Sequence, residues 1–153
     1  MATTAETKKT AMSGLSMGLE GIQPYQPKKG EDYMSDGQLA HFREILSTMK
    51  RQLMEDVDST VSNMRDDDKN LSDFTDRATK EENLSILLRT RDREGKLLKK
   101  IEESLDRLEQ GEYGYCESCG IEIGIRRLEA RPTAVLCIDC KTIDEIRERQ
   151  QGN

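Results

Sequence analysis

The chain has no tryptophan, one histidine, two phenylalanines and four tyrosines among 153 residues, and hydrophobic residues make up only 34% of it. A compact enzyme with a thick apolar interior is hard to assemble from so little, whereas a long two-faced helix needs only one narrow apolar stripe. A small globular part with so thin a core needs a further staple, and a structural metal is the usual one. Also missing is any apolar run as long as a membrane span or a signal-peptide core, so the sequence reads as cytoplasmic and without membrane contact. Positive charge is in deficit: 24 lysines and arginines stand against 30 aspartates and glutamates, a net charge of −6. That balance argues against broad electrostatic capture of nucleic acid, which works by neutralising phosphates, while leaving room for a local basic face.

What is present divides the chain in three. Residues 1–34 read as a flexible N-terminus whose later part packs on a globular domain. The first 20 are small and polar, and Pro24 and Pro27 keep the next stretch out of any helix interior, leaving Leu19, Ile22, Tyr25 and Tyr33 to pack as an extended strap. Residues 35–111 read as a coiled-coil hairpin. Ser35-x-x-Gln38 fits a capping box, and Leu39, Phe42, Leu46, Met49, Leu53, Val57 and Met64 then recur mostly at spacings of three and four, predicting a helix to about Asp67. Leu84, Leu87 or Leu88, Leu98, Ile101, Leu105 and Leu108 predict a second helix ending near Gly111, with Arg91 and Glu94 interrupting its stripe. Two such helices, each spanning roughly 45 Å at 1.5 Å per residue, cannot bury their stripes alone. The short link from Asp68 to Arg77 makes them antiparallel neighbours with a tip near residues 68–78. A monomer is the expected state, and a parallel dimeric coiled coil with a hinge is the alternative. Gly95, inside the second helix, costs about 1 kcal/mol relative to Ala.

Residues 112–153 read as a zinc-finger module with a short C-terminal helix, for which Thr142-x-x-Glu145 supplies a capping box and Ile143 and Ile146 an inward face. Cys116-x-x-Cys119 and Cys137-x-x-Cys140 have the spacing of a zinc site, each knuckle turning so that two thiolates face one ion. Gly114 and Gly120 flank the first knuckle, where backbone N–H groups can turn toward sulfur. Four sulfur ligands and no fifth donor predict one structural Zn2+; a redox dithiol pair and an iron–sulfur cluster are the competing readings. His41, far away on the first helix, reads as a solvent-facing or base-packing residue. Arg126, Arg127, Arg131 and Lys141 surround the knuckles. They either balance the negative charge of a four-thiolate centre, serve solubility, or bind a phosphorylated ligand.

Charge is segregated along the hairpin. Between Glu55 and Asp76 there are eight acidic residues against two basic ones, after which Arg89, Arg91, Arg93, Lys96, Lys99 and Lys100 dominate the second helix. Helix capping accounts for one aspartate, but not for Asp66, Asp67, Asp68, Asp73 and Asp76 together on a narrow tip, where like charge is destabilising.

The string Glu112-Tyr113-Gly114-Tyr115-Cys116-Glu117-Ser118-Cys119-Gly120, continued by Ile123-Gly124-Ile125-Arg126-Arg127-Leu128-Glu129-Ala130-Arg131-Pro132, closely resembles the DksA/TraR zinc-finger family of RNA-polymerase-binding transcription factors. Asp73-x-x-Asp76-x-Ala78 likewise resembles the D-x-x-D-x-A motif of the DksA tip. The resemblance runs from about Pro24 to Arg149. It implies a hairpin inserted into the secondary channel of bacterial RNA polymerase, with Asp73, Asp76 and Ala78 near the active centre. It also implies altered open-complex stability, with rRNA promoters repressed and others, such as those for amino-acid biosynthesis, activated. The family works with (p)ppGpp, bound at the polymerase interface. The matching positions are Leu97, Lys100, Arg131 and Lys141, with Arg93, Arg127 and Asp139 in the same neighbourhood. One departure is the loop Leu71-Ser72-Asp73-Phe74-Thr75-Asp76, which lacks the proline often found beside the first aspartate. Against this non-enzymatic regulator stand two other readings. One is a secondary-channel transcript-cleavage factor whose carboxylates would assist a two-metal hydrolysis. The other is a zinc-ribbon nucleic-acid binder, which the acidic balance disfavours; no direct sequence-specific DNA binding is expected.

Overall fold

A helix start leaves its first amides without intrahelical partners, and the residues around Ser35 supply them. In the computed structural model, which describes residues 21–67 and 74–152, helix α1 runs Asp36–Asp67. Ser35 Oγ accepts from Gln38 N at 3.4 Å, and Gln38 Oε1 reaches back to Met34 N at 2.7 Å. The predicted capping box therefore forms, with its return bond one residue earlier than the standard pattern. Helix α2 runs Phe74–Gln110, starting earlier than the predicted link to Arg77 allowed, because no Pro or Gly follows Phe74 until Gly95. The 32 residues of α1 and 37 of α2 correspond to about 48 and 55 Å of helix.

The two helices pack antiparallel. Lys50 Nζ lies 3.4 Å from Glu102 Oε1, while Val57 and Asp58 share a cleft wall with Arg91 and Glu94, so rising numbers on α1 meet falling numbers on α2. At the base Phe42, Ile45, Leu46 and Leu53 from α1 meet Ile101 and Leu108 from α2 in a buried core, together with Tyr113, Ile123 and Leu128, and Leu39, Met49, Leu98 and Leu105 pack half-buried against it. Each buried side chain contributes about 1.5–3 kcal/mol. Ile45 joins this core in addition to the residues picked out by periodicity. Of the predicted α2 stripe, Leu84 and Leu88 are exposed, and the seam passes through half-buried Leu87.

Beyond α2 the chain forms a short turn joined by one antiparallel bridge, Tyr115 to Glu122, then α3 (Ile125–Ala130) and α4 (Ile138–Gln151). Among the described residues there is no strand, so the architecture is mainly helical, a long antiparallel hairpin on a small cysteine-bearing base. No helix among them is long and apolar enough to cross a membrane.

Two expectations for α4 are overturned. The helix starts four residues before Thr142, capped by Cys137, whose sulfur accepts from Cys140 N; the Thr142 hydroxyl instead donates back to Ile138 O at 2.8 Å. Ile143 and Ile146 do not face inward but are 50% and 48% exposed. The expectations for residues 1–20 and for 68–73, including Asp73, lie outside the described residues.

After Gly21 the chain meets the first knuckle through Tyr33. Tyr33 Oη donates to Gly114 O at 2.7 Å and accepts from Gly124 N at 2.9 Å. Further back, Glu31 accepts from Ser35 Oγ at 2.6 Å, from the Tyr25 hydroxyl and from Lys28 N at 2.9 Å, donors that hold its carboxyl down at about 2.

Candidate metal centre and hairpin tip

The four cysteines, eighteen or more residues apart between pairs, come together at the base: their Sγ atoms all lie within 4.8 Å of one another, with Cys119 and Cys137 at 3.7 Å. Sulfurs about 2.3 Å from a tetrahedral ion stand about 3.8 Å apart, so the donor set fits Zn2+ in both chemistry and size. Local backbone produces the convergence. Gly114 and Gly120 adopt φ of 90° and 76°, Gly120 N donates to Cys116 O at 3.0 Å, and Cys116 N donates to Ile121 O at 2.8 Å, closing the first knuckle. Glu117 N then donates to Val135 O at 2.9 Å and ties it to the approach of the second.

Ionisation of the thiols is uneven. Burial opposes it at Cys116, but backbone N–H groups of Cys137, Cys119 and Ser118 outweigh burial and bring that thiol down to about 6. Backbone N–H groups of the first knuckle thus turn toward sulfur, as the flanking glycines suggest, while the Gly120 amide itself goes to the Cys116 carbonyl. Cys140 is pushed up to about 12 by the Cys137 and Cys119 side chains and by burial. Four thiolates this close repel, and a divalent cation among them offsets that repulsion. The bond from Cys140 N to Cys137 Sγ also sets a sulfur at the positive end of α4, where negative charge is favoured.

His41 is a packing residue. Its Nε2 lies 2.6 Å from Glu129 Oε1, which also accepts from Tyr25 N at 2.8 Å, and its ring contacts Tyr25 and Phe42. Arg107, in the last turn of α2, was not singled out from sequence. Its guanidinium donates to Glu117 Oε1 at 2.7 Å, Tyr115 O at 2.7 Å and Glu112 O at 3.2 Å, binding the end of the shaft to the first knuckle. The signal for it was weak: a cation in a helix's last turn, which usually serves the dipole alone. Tyr113 Oη donates to Pro132 O at 2.7 Å from full burial, which pushes its phenol above the ordinary value.

Of the remaining candidates, Leu97 packs partly buried against the core and Lys100 is exposed three residues further along α2. Arg131 is exposed at the end of α3, and Lys141 lies in α4 with Nζ 3.8 Å from Glu145 Oε1. Arg127 is committed to the Leu136 carbonyl at 3.1 Å, whereas Arg93 and Asp139 are exposed. At the other end, Asp76 falls in the first turn of α2 and Ala78 is exposed.

Gly114 carries a specific constraint. A Cβ there would stand 3.0 Å from the Met34 side chain, on top of a backbone at φ 90°. Gly114→Ala is expected to cost about 1–2 kcal/mol for the left-handed backbone alone and more for the contact. Gly120→Ala, with nothing within 4 Å, carries only the backbone cost. Urea denaturation midpoints of the two variants give the difference, and equal midpoints would refute the Met34 contact.

Residues 38–108 match the family described as DnaK suppressor protein DksA, N-terminal domain, and residues 111–145 match the prokaryotic dksA/traR C4-type zinc finger. The chain is 56% identical to the RNA polymerase-binding transcription factor DksA of Escherichia coli K12 over 96% of its own length and 97% of that protein. It is also 56% identical to the protein of the same name from Haemophilus influenzae, over 88% and 92%. Among solved structures, transcription factor DksA2 from Pseudomonas aeruginosa superposes with a TM-score of 0.72 at 42% identity, covering 81% of this chain and 94% of that one.

Proposed function

Because this chain belongs to the DksA family, we propose that it is a regulator that binds bacterial RNA polymerase, enters the secondary channel with its hairpin and performs no chemistry of its own. The observation that carries this reading is end-to-end identity of 56% with a relative named for binding RNA polymerase, on a chain that pairs a long hairpin with a four-cysteine base. In this reading residues 35–111 are the inserted arm, 112–153 the base with one structural Zn2+ on Cys116, Cys119, Cys137 and Cys140, and 1–34 the strap and its leader. Asp73, Asp76 and Ala78 act at the polymerase active centre. (p)ppGpp is the co-regulator, held by Leu97, Lys100, Arg131 and Lys141, since a highly charged nucleotide requires cations converging from several elements. The protein works in the cytoplasm as a monomer, without sequence-specific DNA contacts.

The test is multi-round transcription from a ribosomal RNA promoter with bacterial RNA polymerase, with and without ppGpp. Inhibition should deepen with ppGpp and disappear in Asp76→Asn, while polymerase binding and helical circular dichroism persist. Loss of helicity in that variant would reassign Asp76 to helix capping. Shortened RNA in backtracked complexes would point instead to transcript cleavage.

A further inference from the structure

Burial is distributed unevenly along the shaft. Among the described residues, the side chains that α1 and α2 bury fully lie between Gln38 and Leu53 on one helix and between Ile101 and Leu108 on the other. Past that point no described side chain of either helix is fully buried, and Met54, Leu84, Ile86 and Leu88 are 42–56% exposed. The transition coincides with a break in the seam. Arg91 and Glu94 stand where apolar residues are needed, and Arg91 Nε and Glu94 Oε2 are both buried without a hydrogen-bond partner among the described residues. Beside them Gly95 leaves open space, and a cleft of about 350 Å³ enters between the helices, lined by Leu53, Val57, Asp58 and Leu98 as well.

Each of these features favours separation of the helices at that level. Buried polar groups without partners regain hydrogen bonds to water when the seam parts. A glycine in a helix interior weakens the helix relative to alanine. The cleft removes packing contacts that would otherwise oppose opening. On the base side, by contrast, the buried polar side chains Gln38 and Ser104 are hydrogen-bonded, to Met34 N and Lys100 O, and the apolar side chains around them run on into the cysteine-bearing core.

We infer that the hairpin consists of two cooperative units meeting at the Arg91–Glu94–Gly95 notch. The proximal unit opens only with the base; the distal unit, past Leu53 on α1 and up to and including Gly95 on α2, opens by itself and far more often. The notch is a built-in hinge: local unfolding stops there because the side chains below it are buried and those above are not. A shaft of this kind delivers its distal part in an adaptable form while its root stays fixed.

Native-state hydrogen exchange of the full-length, zinc-loaded protein tests this. Amides from Glu81 to Arg93 should exchange at least about a hundredfold faster than those from Ile101 to Leu108 and share one denaturant dependence, and a matching step should occur on α1 just past Leu53. Gly95→Ala should slow the distal amides about fivefold, the ratio that corresponds to its helix-propensity gain, and leave the base amides unchanged. Glu94→Leu should act in the same direction. A smooth gradient of protection from tip to base, which simple end-fraying produces, would overturn the inference. So would a Gly95→Ala variant that slowed distal and base amides alike.

Discussion

Cys137→Ser removes cooperative thermal unfolding of the base and leaves a protein that binds less than one equivalent of zinc. The size of this effect follows from two magnitudes. Structural zinc contributes about 10–16 kcal/mol of apparent binding free energy at neutral pH, while a whole domain is stable by about 5–15 kcal/mol. Here the thin apolar core leaves little to replace it. Serine is a well-chosen probe because Cys137 has two roles, ligand and N-cap of α4. A serine hydroxyl caps as well as any side chain, so the helix start survives and the loss reports on the metal. Cys137→Ala gives up the cap too, adding about 1 kcal/mol. Calorimetry with zinc analysis is the measurement, and a serine variant that keeps the melting profile would show the metal dispensable.

Phe42→Ala lowers the melting temperature by about 6–20 °C, from a loss of about 3–5 kcal/mol at about 2–4 °C per kcal/mol in a chain of this length. Phe42 is completely buried and sits 5.6 Å, ring to ring, from Tyr113, so its removal empties the junction between shaft and base. Tyr113 cannot move in to fill the space without giving up its bond to Pro132. Leu88→Ala, at a position 55% exposed, should shift the melt by less than about 2 °C, as surface changes of about 0.5 kcal/mol do. Comparable shifts from the two substitutions would mean that the core does not lie where the structure places it.

The readable parts of this protein are those with short-range signatures. The capping box at Ser35, the three-and-four spacing from Leu39 to Leu53 and the paired C-x-x-C knuckles each carry their cause within a few residues, and each matches the structure. The start of α4 was misread because a sulfur substitutes for the usual hydroxyl or carboxylate cap, leaving Thr142 as the visible but wrong signal. Ile143 and Ile146 show why periodicity alone misleads: it finds an apolar face without telling whether the fold covers it. The same holds for Leu84 and Leu88. Pairings such as His41 with Glu129, 88 residues apart, have no local pattern to betray them. The tip motif was legible only through resemblance, because an aspartate in a helix's first turn looks the same whether it caps or acts.

Arg107 finally gives the hairpin a property that belongs to levers. Its three bonds to Glu112, Tyr115 and Glu117 clamp the root of α2 against the first knuckle. An arm of 37 helical residues is about 55 Å long, so a rotation of only about 5° at that clamp swings the far end by about 5 Å. While the helices stay paired past Gly95, the direction of the distant end is therefore set at the clamp, and a hydrogen bond lost beside the cysteines is magnified into a displacement at the other extremity.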